Sequence, residues 1–157
     1  MFANRYTALI DACALADALK RDFLLSLCEA EFFRIRWSEE LLEETRRAIS
    51  KMLQKRGFQD HNERALKVVV CMKTAFPQAM VTDFRSFDEG TVQLPDPGDQ
   101  HVLSAALKAQ AQNIVTENLR DFPPSLLDTL NLEARSADDF IADTIALDTG
   151  RAIQAVR

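Results

Sequence analysis

Four acidic islands, each placed where a short apolar run gives way to a helix or loop, constrain this chain more than any other feature. Asp11 closes "YTALID", Glu44 lies in "WSEELLEETRRAI", Asp96 and Asp99 lie in "LPDPGDQHVLSAAL", and Asp121 lies in "NIVTENLRDFP". In an open α/β sheet, ligands sit outside the carboxyl ends of the strands, so acids placed there converge from distant parts of the sequence. Converging carboxylates repel one another unless a cation stands between them. Oxygen-only ligation of that kind suits Mg²⁺ or Mn²⁺.

The pattern between the islands supports such a sheet. Tyr6–Asp11 reads as a short buried strand, followed by an amphipathic helix from about Leu15 to Glu29 with Leu19, Phe23 and Leu27 on one face. Phe32–Trp37 alternates after its first residue and suits a second strand. Ser38 is an N-cap, with Glu39 and Glu40 in the first helical turn, where the helix dipole favours them. That helix runs to about Arg56 and stops at Gly57. Asp60 caps the next helix, which Pro77 ends.

"QAMVTD" and "TVQL" are strand or extended candidates, Asp99 opens a helix through about Gln110, and "NIVT" is a further buried strand. A short helix near Pro124–Leu130, an extended "LEA" and a Ser136-capped helix complete the chain. Repeated strand–helix alternation predicts an α/β fold, a mainly parallel sheet covered by helices. With neither repeat nor linker, residues 1–157 read as one domain with a C-terminal helical segment from about Ser136.

Several classes fall away. No apolar run approaches the roughly 18 residues of a membrane span, and "MFANRYTALID" is too short and polar for a signal peptide. The three cysteines form no CxxC pair and read as free thiols of a reducing compartment, so a cytoplasmic location is expected. The four glycines form no GxGxxG or GxxxxGK array, which removes support for dinucleotide and P-loop chemistry. A net charge of −5 argues against broad adhesion to nucleic acid, although a metal site accounts for part of it. His101 lies in the Asp99 helix, but neither it nor His61 shows a partner nucleophile in the sequence, so a cysteine hydrolase lacks support.

Each acid has an ordinary role as well as a chemical one. Asp11 serves as an N-cap or a metal ligand, and the two are compatible, since a carboxylate at a buried strand end needs hydrogen bonds or a cation. In the helix after Ser38, Leu41, Leu42, Thr45, Ala48, Ile49, Met52 and Leu53 make one arc at about 100° per residue. Glu44 borders that arc while Glu43 points nearly opposite, so Glu44 is the glutamate placed to reach inward. Pro95, Pro97 and Gly98 stiffen the loop that carries Asp96 and Asp99, where the alternative is a routine N-cap. After "NIVT", Thr116, Asn118 and Asp121 face a common site or form an Asx-rich turn stopped by two prolines. Arg47, Lys51 and Lys55 make a basic strip that either steers phosphate or is a solvated, ion-paired helix face.

Taken in order, "ALIDACAL", "SEELLEETRRAI", "PDPGDQHVLSAALKAQAQNIVTENLRDFP" and "ARSADDFI" resemble the successive motifs of PIN-domain proteins. More narrowly, they resemble the VapC-like bacterial branch, which contains the toxin ribonucleases of toxin–antitoxin pairs. The resemblance covers about Thr7 to Ile141. It implies a three-layer α/β/α sandwich, dependence on Mg²⁺ or Mn²⁺, cleavage of single-stranded RNA, a small cognate antitoxin and a homodimer. Asp11 matches the first family acid, Glu44 the second and Asp99 the third.

Many relatives carry a fourth acid two residues after the threonine, where this chain has Asn118. The subgroup with "TxNxxDFP" looks closest and makes Asp121 the substitute. On that resemblance Asp11 and Asp99 ligate the metal, Glu44 ligates it or holds water, Asp121 and Asn118 orient water or complete the site, and Asp96 is a reserve ligand. Two other classes stay open. Asn118 favours a PIN-like module that binds RNA or protein without efficient cleavage, and a closed pocket would favour a metal-dependent phosphatase.

Overall fold

Thr7–Ile10 (β1) is buried along its whole length, as a central parallel strand covered on both faces must be. The structure is a computed structural model that describes residues 6–88 and 92–157. In it β1 pairs in parallel with Arg34–Arg36 (β2) on one side and with Asn113–Val115 (β3) on the other. Glu133–Arg135 (β4) pairs in parallel with β3, so the order is β2-β1-β3-β4. Ile10 lies opposite Val115, and the next residues, Asp11 and Thr116, therefore leave adjacent strands at the same level.

Helices flank this sheet and complete the α/β/α layering. Ala12–Ala16 (α1) and Ala18–Glu29 (α2) follow β1; Glu39–Lys55 (α3) and His61–Ala75 (α4) form a hairpin after β2. Gln100–Ala109 (α5) leads into β3, Pro124–Leu127 (α6) precedes β4, and Ala137–Leu147 (α7) and Thr149–Ala155 (α8) end the chain. Among the described residues, no helix is long and apolar enough to cross a membrane.

The local signals acted largely as expected. Ser38 Oγ accepts the Leu41 N–H at 3.2 Å, and Gly57 adopts φ +90° after α3, the left-handed geometry that glycine tolerates. Asp60 does stand before α4, but its carboxylate takes the Arg64 guanidinium instead of a backbone N–H. The C-terminal segment packs on its own fold. Phe140 meets Phe33 edge-on at 5.0 Å, and Arg151 covers the Phe32 ring and donates to the Ala30 carbonyl at 2.8 Å.

The first helix needs correction, and the two strand or extended candidates take a definite form. Helix begins at Ala12 rather than near Leu15 and breaks at Asp17, which is extended and caps α2 through the Leu19 and Lys20 N–H groups. The break resets the helical phase, so Leu19 is 67% exposed and Leu24 joins Leu27 on the buried face. "QAMVTD" supplies one parallel bridge, Met80 to Trp37, after a 3₁₀ turn at Pro77–Ala79. Of "TVQL", Thr91 lies outside the described residues, and Val92–Leu94 form no strand. The buried Gln100 side chain instead accepts the Leu94 N–H at 3.2 Å and donates to the Val92 carbonyl at 3.0 Å, tying this segment to α5.

Candidate metal centre

Asp11 is the fixed member of the site. It ends β1, caps α1 and is only 5% exposed. One carboxylate oxygen accepts the Ala12 N–H at 2.8 Å; the other accepts the Thr116 hydroxyl at 2.8 Å and the Cys13 thiol at 3.6 Å. Burial raises its pKa, the Thr116 and Ala12 hydrogen bonds oppose that rise, and the charge of Glu44 adds to it. Thr116 is fully buried. It reaches the site as a brace, donating to Asp11 and accepting the Asn118 N–H at 3.0 Å.

The loop before α5 presents the second acid without occupying it. Asp96 accepts the Gly98 N–H at 2.8 Å and sets up a 3₁₀ turn over Pro97–Asp99. Gly98 matters for that turn, because a Cβ there would stand 3.2 Å from Asp96 Oδ1. Asp99 occupies the N-cap position of α5, yet its side chain makes no capping hydrogen bond. Its carboxylate is left to the site.

Asp121, in the 3₁₀ turn Leu119–Asp121, completes the convergence. Asp96, Asp99 and Asp121 each offer a carboxylate oxygen, and these oxygens lie within 4.8 Å of one another. The Asp99 pKa is pushed up to about 6, first by burial, then by the charges of Asp11, Asp96 and Asp121 and by a hydrogen bond with Asp121. Asp11 is thus electrostatically coupled to the trio, and Glu44 to Asp11. Asn118 is exposed, and its side-chain amide lies 4.0 Å from the Cys13 sulfur. Asp121 rather than Asn118 joins the acids.

Glu44 arrives from α3 half-buried, as the helical phase predicts, while Glu43 pairs outward with Arg46 and Arg47. Glu117, the remaining acid of "TENLRD", is structural: it accepts from Lys20 Nζ at 3.1 Å and from the Ala137 N–H at 3.2 Å. Arg47 is exposed and lies 3.4 Å from Glu43; Lys51 and Lys55 are exposed. None of the three is paired with an acid of the site among the described residues.

Two contacts were invisible in the sequence. Cys13 lies against Asp11 and accepts the Glu117 N–H at 3.2 Å; burial, then the charge of Asp11, raises its pKa and keeps it a thiol. His101, 6% exposed, places Nε2 3.0 Å from Glu44 Oε2. The spacing Asp99-x-His101 was the available signal, but its target lies in another helix.

The donor set fits a hard divalent cation. It is oxygen-only, and burial with the charges of Asp11, Asp96 and Asp121 raises the proton affinity of Asp99, with no lysine or arginine bridging these four acids among the described residues. A cation held there would relieve that repulsion.

Parallel strands in this order, with acids gathered where β1 and β3 end, define a class. A family model described as a PIN domain matches residues 7–120, and the chain belongs to that family. Within it, one relative is the protein named "Putative ribonuclease VapC50" from Mycobacterium tuberculosis (strain ATCC 25618 / H37Rv). It is 43% identical over 49 residues, which are 31% of this chain and 29% of the relative. The aligned stretch thus spans less than a third of that protein's length. No solved structure matches the chain.

Proposed function

We propose that the chain is an Mg²⁺- or Mn²⁺-dependent endoribonuclease that cleaves single-stranded RNA and serves as the toxin of a toxin–antitoxin pair. The observation that carries this proposal is the Asp96, Asp99 and Asp121 cluster beside Asp11, with the Asp99 pKa pushed up to about 6 by burial and then by these neighbours. The ribonuclease name of the mycobacterial relative gives it chemical direction. Residues 1–157 form a single PIN domain on this proposal, acting in the cytoplasm as a homodimer.

Asp11, Asp99 and Asp121 would hold the ion, with Asp96 beside them and Glu44 bordering the site. A bound divalent cation supplies charge neutralisation at the phosphoryl oxygens and acidifies water. The chain's own residues do the positioning. Thr116 and the Ala12 N–H fix the Asp11 carboxylate, and the Pro97–Asp99 turn aims Asp99. The exposed Asn118 is free to hydrogen-bond water or a phosphate oxygen, and Arg47, Lys51 and Lys55 supply positive charge on α3 for the RNA backbone. The open trough of about 740 Å³ between α2, α3 and α4 is apolar through Leu25, Ile49, Leu53 and Val68 and also lined by Arg56 and Lys67. It suits an amphipathic, acidic antitoxin segment.

Purified protein should cut labelled single-stranded RNA only with Mg²⁺ or Mn²⁺, and Asp11→Asn should lower the rate by a factor on the order of 10² or more. Full activity in Asp11→Asn, after exclusion of contaminating nuclease, would refute the site. RNA binding without cleavage would favour the non-catalytic module, for which Asn118 speaks. Turnover of phosphate monoesters alone would favour the phosphatase.

A further inference from the structure

Glu40 and Glu44 lie one turn apart on the same face of α3, two like charges beside a site already crowded with acids. A single buried imidazole stands against both. His101 Nε2–H donates to Glu44 Oε2 at 3.0 Å, and Nδ1 lies 3.6 Å from Glu40 Oε2, too far for a hydrogen bond. Glu40 is itself paired with Arg85. The network therefore runs Arg85–Glu40–His101–Glu44, with the imidazole 6% exposed and the glutamates half-exposed.

The geometry points to His101 as the positioning residue that sets the Glu44 carboxylate for the metal site. This rests on the proposed metal-dependent activity and adds a residue to that site. Three features carry it. The hydrogen bond occupies Oε2 and leaves Oε1 without a hydrogen-bond partner among the described residues. Glu44 acts on the acids, since its charge reaches Asp11. His101 sits on α5 two residues after Asp99, so one helix start brings Asp99 to Asp96 and Asp121 and fixes Glu44, which belongs to α3. A glutamate on a half-exposed helix face samples several rotamers. A rigid donor holding one oxygen removes most of that freedom before an ion arrives, as outer partners of metal ligands commonly do.

The test is Mn²⁺ affinity of the full chain by calorimetry, with melting temperature as the check on folding. His101→Phe keeps ring volume and removes both nitrogens; it should weaken Mn²⁺ binding about 10-fold. His101→Gln retains an N–H donor at the reach of Nε2 and should recover most of that loss. In a Glu44→Gln background, His101→Phe should cost nothing further, because its effect passes through Glu44. Glu43→Gln should bind Mn²⁺ like wild type. A His101→Phe protein that folds and binds Mn²⁺ like wild type, while Glu44→Gln does not, would overturn the role of His101 and leave the nuclease assignment intact. Additive losses in the double variant would overturn it as well. The expected pattern of affinities in a protein that cuts no RNA would uphold the role of His101 and defeat the nuclease assignment. Should neither His101 variant fold, the His101 ring ¹⁵N resonances provide the readout. They should shift when Mg²⁺ is added to wild type but not to Glu44→Gln, and no shift in wild type would overturn the proposal.

Discussion

Asp99→Asn should stabilise the metal-free protein while removing its metal response. Asp99 is ordinarily expected to titrate at 3.8 and here titrates at about 6, because burial and three neighbouring acids disfavour its charge. Taken undiluted, that gap corresponds to about 3 kcal/mol of differential stability. Asp99 is only half-buried, and solvent screening reduces the figure to ~1–2 kcal/mol. The sign follows from proton binding. Between the unfolded and folded pKa values the native state holds more protons than the unfolded chain, so stability falls as pH rises from about 4 through about 6.

Asparagine never pays this cost. In excess chelator at about pH 7.5, Asp99→Asn should melt ~2–6 °C above wild type, and near pH 4.5 the difference should largely disappear. Added Mg²⁺ should raise the wild-type midpoint and leave that of the variant nearly unchanged. Thermal unfolding followed by circular dichroism measures both effects. A variant no more stable than wild type at the higher pH, or equally shifted at both pH values, would mean that Asp99 is not under repulsion from Asp11, Asp96 and Asp121.

Asp121→Asn should weaken Mn²⁺ binding about 10-fold by calorimetry, and Asn118→Asp in that background should restore part of it; an unchanged affinity in Asp121→Asn would reduce Asp121 to a turn residue. Thr116→Val removes the hydroxyl that Asp11 accepts and should cost ~1–3 kcal/mol in urea unfolding near neutral pH. Losing that bond raises the Asp11 pKa further, so the deficit should shrink in acid as Asp11 protonates, and a pH-independent deficit would assign it to packing alone. Expression of the chain should slow bacterial growth, co-expression of the neighbouring antitoxin gene should relieve it, and Asp99→Asn should abolish it. Normal growth with abundant, folded wild-type protein would argue for a PIN protein that is not a toxin.

The two central strands were legible because they are short apolar runs, buried along their length. "TALI" and "NIVT" needed no tertiary information, nor did the Ser38 cap or the Gly57 stop. The misread segments depended on partners. Asp17 breaks the first helix by hydrogen-bonding its own backbone, an option open to many aspartates that do not take it. Val92–Leu94 has strand composition, but the side chain of Gln100 takes up its backbone groups instead of a neighbouring strand. Helical phase was enough to separate Glu44 from Glu43. It gave no sign of His101, because a contact between α3 and α5 leaves no period in either helix.

The acids also divide by how firmly the fold holds them, and this division is a consequence of where each lies. Asp11 follows a fully buried strand and has both oxygens committed to hydrogen bonds, so its position is set by the sheet. Asp96, Asp99 and Asp121 lie in or beside single 3₁₀ turns at the surface, where small backbone shifts move a carboxylate without disturbing the core. Mg²⁺ demands near-octahedral geometry but retains several waters, so it needs one well-placed anchor and a few ligands able to adjust. In the metal-free chain Asp96, Asp99 and Asp121 still crowd one another, their oxygens within 4.8 Å, and burial with that crowding raises the Asp99 pKa. Short turns would let these carboxylates adjust around an ion without disturbing the sheet that fixes Asp11.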